Sequence, residues 1–403
     1  MTSEPQGENV NVMVQRFRRC HAVAVLPEEA PHFSLQNLLE GGTGVGFAQQ
    51  LLVRAAHLDQ PVVLAPPACL LLLQTSAEQW QPLPEDTTAR DAVLALVEAG
   101  LLIVESGEPA APRDADCRLR QGHWWALSAI HHRHSRWSGV DSAGEMERNR
   151  MVTAQDLVKQ LGKPPAEAPD RLPDAVALPR TTPDAVEQIL ALRATCRNYD
   201  AARPLPTTLL AGMLQHVLMA QSQVETEPGV RFLKKNVPSA GSLHPLEAHV
   251  IVRDVEGVPR GLYHYHPVAH ELGRQPIQPD DLDGFCLRLL SGQHWFASAH
   301  VLVVLVCRFG RNFWKYRNHA KAYRAVSLDA GHVSQALYTA ATANGLGAFV
   351  TAAINESEIE SLLVLDPMVD GALAVCGFGW RAQNMTTAEL DPEGRVWPEQ
   401  TRP

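Results

Sequence analysis

Three short stretches of the chain hold side chains that packing alone does not require. In Arg193-Ala-Thr195-Cys-Arg197-Asn-Tyr199, two guanidinium groups flank a hydroxyl. That set can clamp a phosphate through bidentate, charge-assisted bonds, and a solvated charged helix end would have the same composition. Pro238-Ser239-Ala240-Gly241-Ser242-Leu243-His244-Pro245-Leu246-Glu247 is made largely of small residues. Free N–H groups in such a stretch let a flat ring lie close to the backbone. Trp314-Lys315-Tyr316 puts an amine between aromatic rings, ahead of Tyr323-Arg324 and an Ala-rich run ending at Asn344-Gly345-Leu346-Gly347.

Regular elements must hold these stretches in place. Leu328, His332, Val333, Ala336, Leu337, Ala340 and Ala341 recur at helical spacing, which predicts a buried apolar face. Asn344-Gly345 ends that helix as a left-handed cap, and Ala348 to Ile354 suits a buried strand. Further strands are expected at His249 to Val252, His300 to Cys307 and Ala372 to Gly377, alternating with helices. Thr182 is placed to cap a helix that starts at Pro183 and runs to about Ala194. A second amphipathic helix carries Leu209, Leu210, Met213, Leu214, Val217 and Leu218. Strands alternating with helices make the C-terminal half α+β or α/β.

Gly162 to Pro183 contains prolines 164, 165, 169, 173, 179 and 183, the composition of a semi-rigid linker. It divides the chain into an N-terminal domain (1–161), a linker (162–182) and a C-terminal domain (183–403). Within the first, Ala92, Val93, Leu96 and Val97 mark a helix from about Thr88 to Ala99. Gly100, a strand at Leu101 to Val104 and a turn at Ser106 to Pro109 follow, as at the end of a winged helix. Glu98, Glu105 and Glu108 stand where a DNA-binding wing needs basic residues. A protein- or peptide-docking role and a purely structural one both stay open. Gly41-Gly42-Thr43-Gly44-Val45-Gly46 lacks the third glycine of a dinucleotide fingerprint and the Gly-Lys-Ser/Thr of a phosphate loop. It reads as a plain glycine loop before a helix. His123, Trp124, Trp125, His131, His132, His134 and Trp137 have no acidic or cysteine partner at ligand spacing. They read as an aromatic surface or interface segment, not a metal site.

The totals narrow the class. A length of 403 residues implies two or three domains. A net charge of −9 argues against a nucleic-acid partner, and no apolar run is long enough to cross a bilayer. Met1 to Asn11 is polar and acidic, unlike a secretion signal, and seven dispersed cysteines fit a reduced, cytoplasmic setting.

Taken together, the three stretches resemble the FMN-dependent nitroreductase superfamily. Within it, the chain is similar to the SagB-type dehydrogenases, which oxidise thiazoline and oxazoline rings in ribosomally made peptides. The resemblance rests on the Arg-x-Thr-x-Arg-x-Tyr opening at 193–199 and on Pro-Ser-Ala-Gly-x-Leu-His-Pro-x-Glu at 238–247. It also rests on Gly261-Leu-Tyr263-His-Tyr265-His-Pro267, Trp314-Lys-Tyr316, and Tyr323-Arg324 leading to Leu328-Asp-Ala-Gly-His332. It covers residues 183–383 and implies an α+β fold, a central mixed sheet flanked by helices, preceded by a winged-helix-like domain.

The resemblance further implies FMN as cofactor, with Arg193, Thr195 and Arg197 at its phosphate and ribityl chain. Ser239, Ala240, Gly241 and Ser242 would lie along the isoalloxazine ring, and Gly345, Leu346 and Gly347 on the loop closing the site. Lys315 and Tyr316 match the Lys-Tyr pair on which azoline oxidation depends in this family, with Lys321 and Tyr323 in reserve. An amine desolvated among Phe313, Trp314 and Tyr316 would have its pKa lowered toward that of a base. The implied partners are a precursor peptide, a second copy of the chain and a cyclodehydratase-type maturation protein. Dioxygen is the implied electron acceptor. Two rivals stand beside this reading: an NAD(P)H-dependent reductase of small molecules, and a non-catalytic peptide-binding scaffold.

Overall fold

The computed structural model describes residues 16–168, 171 and 176–398. The polar N-terminus Met1 to Asn11 and the linker prolines 169 and 173 lie outside the described residues. The chain forms two compact units. The first takes in residues up to Arg136 together with Phe313–Tyr323; the second takes in Trp137–Asn312 and everything from Arg324.

In the first unit, β1 (Arg16–Arg19) leads into a long hairpin of β2 (Val23–Phe33) and β3 (Val45–Ala55), with β4 (Val62–Leu64) beside β3. β1 also lies between β5 (Gln81–Pro82) and β6 (Leu102–Val104) in an antiparallel sheet. The glycine run at 41–46 follows a short helix, Leu35–Leu39, and enters β3, so it precedes a strand and not the expected helix. The helix of the winged-helix pattern spans Thr87–Glu98, with Asp86 as its N-cap. It buries Val93, Leu96 and Val97 against Phe17, Leu72 and Ile103. The Gly100 N–H closes it on the Val97 carbonyl at 2.9 Å, and β6 follows. Pro27 and Pro31 are tolerated on β2 because, among the described residues, it pairs on one side only.

The second unit opens with Trp137–Leu161, which separates from the N-terminal sheets ahead of the proline-rich stretch. The reason is a set of bonds to its own unit. The Val140 N–H donates to Asn355 Oδ1 at 2.9 Å, and the Ser142 N–H to Ser291 Oγ at 3.0 Å. A hairpin of β7 (Ala220–Glu227) and β8 (Val230–Lys235) precedes the main sheet. That sheet contains β9 (Leu246–Val252), β10 (Gly261–His266), β11 (Glu271–Arg274), β12 (Val301–Arg308), β13 (Leu346–Thr351) and β14 (Asp370–Trp380). Their order is β11-β10-β9-β12-β14-β13. Every ladder between these strands is antiparallel; parallel pairing occurs as isolated bridges, Thr195 to Ala348 on β13 and Leu205 to Val255. One sheet face packs Ile251, Leu302, Val304 and Phe349 onto Phe285, Leu289 and Phe296. The Phe296 and Phe349 rings stack 4.1 Å apart.

Candidate functional site

Arg193 stands just past the helix Ala185–Ala191, whose N-cap is Asp184 accepting the Glu187 N–H at 2.8 Å. Asp184, not Thr182, therefore starts this helix, and it ends short of the expected Ala194. The chain then runs alongside β13, where the Cys196 N–H donates to the Ala348 carbonyl at 2.8 Å. Together with the Thr195 to Ala348 bridge, this brings the 193–197 stretch alongside Leu346 and Gly347. The Thr195 hydroxyl lies 3.0 Å from the Tyr338 hydroxyl, and the Arg193 guanidinium lies 5.5 Å from the Tyr338 ring centre. Arg193 is exposed and makes no ion pair among the described residues. A cation and a hydroxyl, neither neutralised by a carboxylate, fit an anionic ligand.

Gly345, Leu346 and Gly347 differ from expectation. Leu346 and Gly347 are buried at the start of β13, in register with Trp380 and Gly379, so ladder bonds fix them and they form no closing loop. Gly347 is needed for the close approach, since a Cβ there would collide with Cys196 Sγ. Burial pushes the Cys196 thiol up to about 12, which leaves it a packing group.

Two residues that sequence reasoning missed hold the Arg-x-Thr-x-Arg backbone. Glu389 has a fully buried side chain; its Oε1 accepts the Arg197 N–H at 2.6 Å and the Asn198 N–H at 3.1 Å. Its Oε2 accepts the Trp397 indole N–H at 2.7 Å and pairs with Arg381. Asn198 ties the same backbone to Thr386 and Thr387 through Oδ1, at 2.8 and 2.7 Å. Nothing in the aperiodic C-terminal segment signals this. A buried asparagine inside the Arg-Asn-Tyr triplet was the available hint.

The second candidate stretch forms a tight turn over Ala240–Ser242, preceded by Ser239. Gly241, Ser242 and His244 take positive φ values of 63°, 57° and 46°. Ser242 and His244 are non-glycine residues held in a sparsely populated region, as happens where surroundings over-determine the backbone. Those surroundings centre on buried Asp329, which accepts the Ser239 hydroxyl at 2.5 Å and the Ala240 N–H at 3.1 Å. The Ser242 N–H bonds the Ser239 carbonyl at 3.0 Å. Two of the N–H groups expected to be free are thus spent on the turn, while Gly241 and Ser242 stay exposed. Asp329 and Tyr338 lie on one helix, Ala322–Ala343, nine residues apart. At the α-helical rise that is about 13 Å, so one rigid element indexes both candidate stretches. On this helix Val333, Leu337, Ala340 and Ala341 are buried as expected, while Leu328 and His332 are exposed; Val326 and Asp329 extend the buried face in their place.

Beside the turn, a small cavity is lined by Val217, Leu218, Lys235, Ser239, His244 and Asp329. Burial lowers the Lys235 amine to about 8, with Arg308 adding to the effect. Below about 8 both folded and unfolded forms are protonated and the burial penalty is full; it fades as pH rises toward the ordinary value of 10.5. Lys235→Met should therefore stabilise the fold by up to about 3 kcal/mol at pH 7 and by almost nothing near pH 11. Urea unfolding at the two pH values checks this, and an equal gain at both would contradict it.

Lys315 and Tyr316 belong to the first unit, on the segment Phe313–Tyr323. Lys315 is exposed, with Nζ 5.5 Å from the Tyr316 ring centre, and Trp314 is 52% exposed. The burial expected for this amine is absent in the chain by itself: Trp314 is half exposed, and Phe313 is turned into the core. Lys321 is exposed too, whereas Tyr323 is engaged, its hydroxyl 3.0 Å from His132 Nδ1. The His- and Trp-rich stretch is mixed: His131 and Trp137 are exposed as expected, and His123, Trp125 and His134 are partly buried, but two of its rings belong to the core. Trp124 and His132 are almost fully buried, and their rings stack at 5.5 Å. Among the described residues no group of metal-ligating side chains converges there or elsewhere.

The Nitroreductase family profile matches residues 190–380. "Putative nitroreductase MJ1384" of Methanocaldococcus jannaschii is 32% identical over 188 residues, spanning 47% of this chain and 88% of that protein. The chain belongs to the nitroreductase family. This nitroreductase-family chain is also 31% identical over 182 residues to "Trifolitoxin-processing protein TfxB" of Rhizobium leguminosarum bv. trifolii. That match spans 42% of this chain and only 47% of the relative. Among solved structures, a chain of the E. coli microcin synthetase McbBCD complex with truncated pro-MccB17 bound aligns at 19% identity, with a TM-score of 0.49. The alignment covers 66% of this nitroreductase-family chain and 94% of the other. Residues before 190 lie outside the family match.

Proposed function

We propose that this chain is an FMN-dependent dehydrogenase in the maturation of a ribosomally made peptide, oxidising thiazoline or oxazoline to thiazole or oxazole. The observation that carries the cofactor is the exposed Arg193 guanidinium, unpaired among the described residues, beside the Thr195 hydroxyl. These groups, with Arg197, would hold the FMN phosphate and ribityl chain. The turn Ser239–Ser242, held by Asp329, would offer its exposed glycine to the ring. The likeness to the trifolitoxin-processing protein supports a peptide substrate.

Aromatising an azoline removes one proton and one hydride from ring carbons; bound FMN supplies the hydride acceptor. Lys315 would take the carbon-bound proton, and Tyr316 would orient the amine or share that proton. Dioxygen is the proposed final electron acceptor, a second copy of the chain completes the site, and a cyclodehydratase-type protein supplies the azoline, all in the cytoplasm. The N-terminal unit would dock the precursor peptide. A second reading, an NAD(P)H-dependent reductase of small molecules, is favoured by the likeness to the archaeal relative. Stoichiometric NAD(P)H oxidation on mixing would select it.

Arg193→Ala tests the cofactor. Losing a charge-assisted contact of about 1.5–3 kcal/mol should weaken FMN binding roughly tenfold to a hundredfold, with the fold intact. Titration of the apo protein by flavin fluorescence reads this, and an unchanged dissociation constant removes Arg193 from the site.

A further inference from the structure

We infer that His132 is a positioning residue for Lys315 and Tyr316, so that the N-terminal unit contributes to oxidation as well as to docking. The inference rests on the function proposed above. It comes from how the 313–323 segment is held inside its own unit. His132 is 2% exposed, and its Nδ1 lies 3.0 Å from the Tyr323 hydroxyl, a bond either imidazole tautomer can make. Its ring stacks on Trp124 at 5.5 Å, and Trp124 meets the edge of Phe313 at 4.7 Å. The two ends of the segment, Phe313 and Tyr323, are therefore gripped by one aromatic cluster. Between them, the Asn318 N–H donates to the His123 carbonyl at 2.9 Å. Trp314, Lys315, Arg317, Asn318, His319 and Lys321 are otherwise exposed.

Local bonds shape the segment's turns, the Arg317 Nε donating to the Trp314 carbonyl at 3.1 Å and the Lys321 N–H to His319 Nδ1 at 3.1 Å, but where an exposed segment stands depends on how its ends are held. A misplacement of about 1 Å at a reacting group can cost a hundredfold in rate. The polar bond matters because an imidazole buried among rings needs a partner, and Tyr323 is the partner that lies on the segment. Losing that bond should free the segment without unfolding the unit, since Trp124 and the stacked ring remain.

The test uses the full-length, FMN-loaded protein in four forms: wild type, His132→Phe, His132→Asn and Tyr323→Phe. The substrate probe is a synthetic peptide bearing one thiazoline ring. In His132→Phe, amide exchange across 314–321 should quicken about five- to tenfold, the loss of one hydrogen bond. Anaerobic flavin bleaching by the peptide should slow about tenfold to a hundredfold, with FMN content and half-saturating peptide concentration unchanged. Tyr323→Phe should reproduce both effects. His132→Asn, which keeps a polar group in place of Nδ1, should restore most of the rate. Unchanged exchange in both His132→Phe and Tyr323→Phe would overturn the inference, and so would wild-type bleaching from a loosened segment. If the wild type leaves the thiazoline intact, the proposed function fails, and positioning for oxidation fails with it. The exchange data would then report only whether His132 holds the segment.

Discussion

Lys315→Ala should lower turnover of a thiazoline peptide by about a hundred- to ten-thousandfold while leaving FMN and peptide binding intact, the range typical of losing a general base. The expectation follows from the chemistry: the ring carbon holds its proton firmly, and removing it without a positioned base raises the barrier. Lys315 offers an amine on an exposed segment, next to the Tyr316 ring and the half-exposed Trp314. A peptide laid over this surface would strip water from both the amine and the indole, providing on binding the dry environment that the chain by itself lacks. Lys321→Ala is the matched control, with the same charge in the same segment, equally exposed. Stopped-flow flavin bleaching under anaerobic conditions separates the two. Rapid bleaching in the Lys315 variant with loss in the Lys321 variant would move the base along the segment.

Glu389→Ala should destabilise the second unit by about 3–5 kcal/mol, because removing one member of a buried ion pair strands the other. Five donors converge on this carboxylate: the Arg197 and Asn198 N–H groups, the Asn198 side-chain amide, the Trp397 indole and Arg381. Truncation leaves the Arg197 and Asn198 N–H groups and the Trp397 indole short of an acceptor and Arg381 without its carboxylate, at a point where the Glu389 side chain itself is out of contact with water. Glu389→Gln keeps the shape but turns one oxygen into a donor facing Trp397 or Arg381, so it should lose a large part of the same stability. The shift in urea midpoint at constant slope reads both variants. A loss below about 1 kcal/mol for Glu389→Ala would mean that the unit relaxes around the gap. FMN affinity should fall too, since the carboxylate fixes the backbone that carries Arg193 and Thr195.

What could be read from the sequence depended on the range of the interaction. The strands β9, β12, β13 and β14 were visible because their apolar runs are continuous, as central strands require. The helix Thr87–Glu98 and its glycine stop were visible because capping is local. The Arg193–Thr195 pair and Gly347 were visible as residue types, but their meeting depends on the Thr195–Ala348 bridge, which no spacing encodes. Helical periodicity placed Leu328 and His332 on the buried face because it treats every position on a stripe alike; the packing buries Val333, Leu337, Ala340 and Ala341 of that stripe and leaves those two outside. Lys315 was given a dry setting because aromatic neighbours in sequence were taken for neighbours in a core. Glu389 was missed, and His132 was read only as one ring of an aromatic segment, because the bonds to Arg197 and to Tyr323 that define them span about 190 residues, beyond any local pattern.

The 313–323 segment also bears on how the protein is made. The aromatic cluster around Trp124 needs Phe313 and Tyr323, so the N-terminal unit is unfinished when its own sequence has left the ribosome. At the usual pace of synthesis, the wait between Arg136 and Tyr323 lasts about 10–40 s. Throughout it Trp124 and His132 lack the rings that will bury them, which makes this nascent intermediate a natural client for chaperones that bind apolar surface. It also means that cutting the chain after Arg136 leaves the N-terminal piece without Phe313 and Tyr323.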